Sequence, residues 1–218
     1  MDLVEFAVAN AQTELRQRLE AMLAADGLTR DVYVRYLSMQ YHLTQGVQRH
    51  FMAAAGHPDM AARPKFRDFL IRLALDEEPH HAVAMQDLKS LGQKPMPAML
   101  DVKLWWAYFN AIDHERPFVR LGAMCILENI AGGAGPILEA LSSGKPFLSP
   151  KTTRFLRLRW RDDSSHGTRI LEALSAAHLS VAQLNDLEQG AEEGAVLFLR
   201  MVDGCLGLGR GRPRSTAA

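Results

Sequence analysis

The stretch Leu75-Asp-Glu-Glu-Pro-His-His-Ala82 concentrates carboxylates and imidazoles inside an otherwise apolar helical pattern. Residues three apart on a helix share a face, so Glu77 with His80, or in the other register Glu78 with His81, can hold one divalent metal. Two other places supply matching groups. Glu128 is a lone carboxylate among Ile126, Leu127 and Ile130, where burial without a metal or a cation is costly. Asp163 and His166 again stand three apart. A dinuclear iron or manganese centre needs carboxylates to bridge and balance the metals, and imidazoles from several helices to fill the remaining positions.

Each piece has a plainer reading. Asp-Glu-Glu-Pro-His-His also suits a solvated helix start, Asp162 and Asp163 with Arg159 and Arg161 a surface charge cluster, and Glu128 a partner for a core arginine. Only the three together favour a metal. His50, His57, His114 and His178 read as surface or core histidines. Met22, Met39, Met52, Met85 and Met99 fall at core-like spacing and need only packing.

The elements that must position these groups read as helices throughout. Leu3, Phe6, Leu15, Leu19 and Leu23 recur at helical spacing up to Asp26-Gly27. Thr29 is an N-cap for one long helix over 30–55, with Val32, Tyr36, Met39, Leu43, Val47, His50 and Phe51 inward. Pro64 opens the helix that carries the Glu/His cluster, and Gly92 follows its end. Pro79 should kink that helix or start a second segment near His80. Pro117 interrupts the helix around Trp105–Asn110, and Val119 to Ile130 is strongly apolar. Ala131-Gly-Gly-Ala-Gly135 predicts a loose, kinked helix whose small residues form an open wall for an elongated ligand. Ser149-Pro150 starts the helix with Arg159, Asp163 and His166. Ser180 with Gln183 makes a capping box for the last helix, which should reach about Val202. No strand pattern survives. The reading is all-α, a single domain of seven to eight helices over 1–203, followed by a disordered Gly/Arg-rich tail, 204–218.

Composition narrows the rest. With 218 residues and 48 % hydrophobic content, one sizeable core is expected. Lys+Arg and Asp+Glu are 25 each, so no global charge points to nucleic acid or a membrane surface. No run approaches the ~18 apolar residues of a membrane span. No signal peptide is apparent. The two cysteines, Cys125 and Cys205, form neither a disulfide framework nor a zinc pattern, so a reducing cytoplasm is the expected compartment.

Four pieces together resemble the heme-oxygenase-like helical superfamily in its non-heme diiron branch, often described as iron-containing redox enzymes and related in fold to thiaminase II. They are Tyr36-Leu-Ser-Met-Gln-Tyr41; Asp76-Glu-Glu-Pro-His80 with Asp87-Leu-Lys-Ser-Leu-Gly92; Leu121-Gly122 with Leu127-Glu128; and Asp163-Ser-Ser-His166. The resemblance covers roughly residues 25 to 200. It implies a heme-oxygenase-like bundle and metal ligands at Glu77, His80, Glu128, Asp163 and His166, with Glu78 and His81 as register alternatives. It implies one or two ferrous irons that activate O2 toward a small, lipid-like or acyl-type substrate. The first histidine of the last motif, H-x-x-x-D-x-x-H, falls on Arg159, and a guanidinium carries fixed charge and ligates no iron.

Three other functions follow from the same residues. A non-catalytic member of the fold would have its metal pocket locked by Arg159 and would serve as a ligand- or partner-binding module. Heme oxygenase itself needs a proximal histidine early in the first helix, and none precedes His42, although the glycine run after Glu128 would suit a porphyrin. In the tail, Arg210-Gly211-Arg212-Pro213 resembles the core of an AT-hook, which lays arginines in the minor groove; a solubilising tail is the favoured reading of that single copy. The oligomeric state is left open.

Overall fold

The computed structural model describes residues 1–25, 27–161 and 166–207, the side chains of 159–161 excepted. Residues 208–218 of the expected tail and Asp163 therefore lie outside the described residues, as does the side chain of Arg159. Among the described residues there are no strands. The helices are α1 (Asp2–Ala24), α2 (Arg30–Thr44), α3 (Gln48–Gly56), a short 3₁₀ turn (Pro58–Met60), α4 (Pro64–Glu77), α5 (His80–Ser90), α6 (Leu100–Ile112), α7 (Pro117–Asn129), α8 (Gly135–Ser142), α9 (Arg154–Arg161), α10 (His166–Ser175) and α11 (Val181–Leu206).

The all-α expectation holds, and the additional segments come from breaks inside expected helices. The long helix over 30–55 is two helices, because the chain turns at Gln45 and Gly46 adopts φ +89°, a left-handed conformation that a glycine accepts without a Cβ penalty. The helix through the Glu/His cluster divides at Pro79, which lacks an N–H and whose ring crowds the preceding turn. The glycine run is a turn between α7 and α8 rather than a kinked helix, with Gly133 at φ +74°. The last helix runs on to Leu206, four residues past its expected end, and Gly207 closes it in the left-handed region. Two of the expected caps are present: the Thr29 hydroxyl accepts from Val32 N–H, and Ser180 and Gln183 form the reciprocal box; Ser149-Pro150 instead lies in a turn, and α9 starts only at Arg154.

α7 is the axis of the bundle. Its residues from Pro117 to Ile126 are all buried, as a helix surrounded by others must be. α11 packs along it as the most extensive helix pair. The approach is so close that a Cβ on Gly190 would sit 1.8 Å from the Val119 carbonyl oxygen, and one on Gly122 would sit 2.0 Å from that of Leu187. α1, α3, α6 and α10 also pack on α7, while α2 pairs with α5 and α3 with α4. No described helix is long and apolar enough to cross a membrane.

Candidate metal centre

Three helix ends meet at one point beside α7. The break at Pro79 makes Glu77 the last residue of α4 and His80 the first of α5, both nearly inaccessible at 1 % and 6 % exposed. Glu128 lies one residue before the end of α7, with its side chain 2 % exposed. The end of that helix is tied down by Gln12, which donates to the Asn129 carbonyl at 2.8 Å, and by Asn129, whose side-chain amide donates to the Cys125 carbonyl at 2.8 Å. His166 opens α10. The next residue is glycine for a steric reason: a Cβ on Gly167 would lie 2.3 Å from Asn129 Oδ1 and 2.7 Å from the Glu128 carbonyl oxygen. The missing side chain lets α10 press onto the end of α7 and carries His166 to the two glutamates.

Glu77 sits at the centre of the cluster. Its Oε1 lies 2.6 Å from His166 Nδ1, and its Oε2 lies 2.6 Å from His80 Nδ1. His166 Nδ1 is also 3.8 Å from Glu128 Oε2. The two imidazoles stack nearly parallel, with centroids 6.1 Å apart. On the far side of His166, Nε2 lies 3.6 Å from Asp76 Oδ2, and Arg169 lies 3.6 Å from the same oxygen. Nearby, burial first and the Glu128 charge second push the Cys125 thiol up to about 12, so it stays a neutral packing residue.

The donor set fits a divalent cation. One ligand atom from each of Glu77, Glu128 and His166 lies within 4.8 Å of the others. Donors bound at roughly 2.0–2.2 Å around one ion span at most about 4.4 Å, so a small contraction closes the site. His80 Nδ1 supplies the sharper observation. It is buried and makes no hydrogen bond to a described residue, although a carboxylate oxygen is 2.6 Å away. Two donors that converge side by side without donating to each other are arranged as ligands of a shared ion are. Two buried carboxylates also carry the charge that a divalent cation neutralises.

The structure brings together Glu77, His80, Glu128 and His166 of the expected set. It turns the alternative register away: Glu78 is exposed, and His81 Nδ1 donates to the Glu78 carbonyl at 2.9 Å with its ring toward Tyr41. Asp163 and the Arg159 side chain lie outside the described residues. Arg120, a buried core arginine, lies over the rings of Trp105 and Phe109, eight residues before Glu128 on the same helix. Of the histidines read as non-ligands, His50 is a core residue bonded to Asp113 at 2.8 Å, and His57 caps the 3₁₀ turn. Sequence reasoning passed over Asp76 and Gly167; each adjoins an assigned residue, and only the packing of α10 on α4 and α7 gives them roles.

Comparison with protein families and with curated proteins finds no match. Solved structures do match. One, from Shewanella denitrificans OS217, is a domain of unknown function with a heme oxygenase-like fold; it superposes with a TM-score of 0.81 over 93 % of this chain and 90 % of its own, at 21 % identity. The fold is heme-oxygenase-like. A TenA homologue from Pseudomonas syringae pv. tomato DC3000 shares this fold with a TM-score of 0.69 over 94 % of this chain and 91 % of its own, at 14 % identity. Within the heme-oxygenase-like bundle, α1 of this chain carries no histidine, and the first one, His42, bonds the Met96 carbonyl at 2.7 Å. The glycine run that suited a porphyrin on sequence grounds forms a turn, and Gly132 packs against Gln12.

Proposed function

We propose that this chain is an iron-dependent oxidase or oxygenase that uses O2 on a small organic substrate. Glu77, His80, Glu128 and His166 would hold the metal, with Glu77 bridging between the two imidazoles. The observation that carries this reading is the position of His80 Nδ1, buried beside Glu77 Oε2 and without a hydrogen bond to a described residue, while the other oxygen of the same carboxylate faces His166. When bound, ferrous iron would supply the electrons that reduce O2. The protein's own part is to hold the ligands and exclude water. α7 gives Glu128 a rigid base, the break at Pro79 points Glu77 and His80 to the same place, and Asp76 faces Nε2 of His166. A carboxylate there favours the tautomer with its proton on Nε2, leaving Nδ1 for the metal. Two free, buried cysteines support the reducing cytoplasm as the compartment.

The test is iron content by elemental analysis after anaerobic loading with ferrous iron, followed by oxygen uptake. Wild type should retain one or two irons per chain and consume O2. Glu128→Ala should lose the metal while its helical circular dichroism is unchanged. A folded wild-type protein that retains no iron would refute the proposal and leave a metal-free binding module on the same fold.

A further inference from the structure

A cavity of about 130 Å³ lies between α1, α2, α7, α8 and α11. Its wall is almost wholly apolar, built from residues such as Leu19, Met22, Met39, Leu127, Leu138 and Phe198, and among the described residues no Lys, Arg, His, Asp or Glu lines it. Gly132 and Gly133, expected on sequence grounds to wall a ligand, are not part of it. Most polar groups at its edge are already engaged. Tyr33 Oη donates to the Thr152 carbonyl at 2.6 Å, and Ser142 Oγ donates to the Leu138 carbonyl at 2.6 Å. Cys205 Sγ donates to Met39 Sδ at 3.4 Å, and Tyr36 is also engaged. Gln40 is the exception. The residue is 6 % exposed and lines the cavity, and its carboxamide, which bonds no described residue, is not among the enclosed unpartnered polar groups and so keeps surface open to the cavity.

A carboxamide that opens to an apolar cavity without a described protein partner can gain a hydrogen bond from a molecule bound there. Size and polarity then define that molecule. An apolar cavity of similar volume accommodates benzene, so the occupant has roughly six to eight non-hydrogen atoms. That excludes a long acyl chain. With no cation in the wall, a carboxylate would lose its hydration without compensation. We infer that the cavity binds a small neutral amphiphile, a short alkyl chain or single ring bearing one hydroxyl, carbonyl or amide group that hydrogen-bonds Gln40. The carboxamide offers both a donor and an acceptor, so each of these groups can pair with it. The site stands independently of the metal proposal, since none of the four candidate metal ligands lines it.

The test uses the full chain without metal and probes it with 1-hexanol, benzene and hexanoate at neutral pH. The methyl resonances of Met22 and Met39, both in the wall, report occupancy. Hexanol and benzene should shift both methionines, and hexanoate should shift neither. Gln40→Leu should weaken hexanol roughly five- to tenfold, the loss of about one net hydrogen bond, and leave benzene binding unchanged. Ala131→Leu, which adds bulk to the wall, should weaken both. The inference is overturned if hexanol leaves the methionines unshifted, if hexanoate binds as well as hexanol, or if Gln40→Leu binds hexanol as wild type does. The hexanoate comparison needs no variant, so it decides the matter even if Gln40→Leu fails to fold. Repeating the hexanol titration on Glu77→Gln should give an unchanged affinity.

Discussion

Gly167→Ala tests whether the close approach of α10 to α7 is what assembles the proposed metal centre. The added Cβ would lie 2.3 Å from Asn129 Oδ1 and 2.7 Å from the Glu128 carbonyl oxygen. Carbon–oxygen contacts settle near 3.3–3.6 Å, so about 0.6–0.9 Å must be found against the carbonyl alone. The Asn129 side chain can swing aside by giving up its 2.8 Å bond to the Cys125 carbonyl, at about 1 kcal/mol. The Glu128 carbonyl is backbone within α7 and cannot move so cheaply. α10 must therefore back away, and His166 goes with it, lengthening its 2.6 Å contact with Glu77 and its 3.8 Å separation from Glu128. Overpacking of this kind costs about 1–3 kcal/mol, which the fold should survive. A ligand displaced by more than half an ångström should lower metal affinity roughly 10–100-fold, the range seen when the partners that orient a ligand are lost. The assay is anaerobic titration with Co²⁺, followed by its visible absorption, beside circular dichroism and a thermal melt. The expected result is weaker binding by a protein of unchanged helix content. Wild-type affinity in the variant would refute the claim that Gly167 places His166, and with it the role given to the α7–α10 contact.

Two other outcomes follow from the packing. Gly190→Ala puts a Cβ 1.8 Å from the Val119 carbonyl oxygen, backbone against backbone, so α7 and α11 must separate; a loss of about 3 kcal/mol, or roughly 6–12 °C in the melting temperature, is expected by calorimetry. His50 is held below the ordinary histidine range chiefly by burial, with the bond to Asp113 opposing. Its unfolded form takes up a proton near pH 6.5 while the folded form still resists, so stability should fall as pH drops through about 6.5 toward the lower folded value. Urea unfolding of wild type and His50→Asn between pH 5 and 8 checks this: the variant should show a shallower slope in that window, and equal slopes would exclude His50 as the source.

Much of this protein was legible along the chain because helix boundaries are local events. Thr29, Ser180, Gly92 and Pro79 act on the peptide groups of their own turn, and each does so where the sequence placed it. The choice of Glu77 and His80 over Glu78 and His81 was not legible. Both pairs have the same spacing, and only the packing of α4 and α5 against neighbouring helices buries one and exposes the other. The break at Gly46 was missed because a single glycine within an apolar helical stripe can be tolerated; in the fold Gly46 takes the left-handed conformation, and α3 packs on α4 as a separate helix.

The chain by itself therefore determined an all-α bundle and the residue types for a carboxylate–imidazole centre, since helix periodicity, caps and proline breaks follow from backbone chemistry within a few residues. Tertiary structure alone decided that Glu77 stands between His80 and His166, that Gly167 and Asp76 set the position of His166, and that Gln40 faces an apolar cavity. They include the contact between Glu77 and His166, 89 positions apart, and are fixed by how closely helices can approach and not by any signal that one segment carries alone.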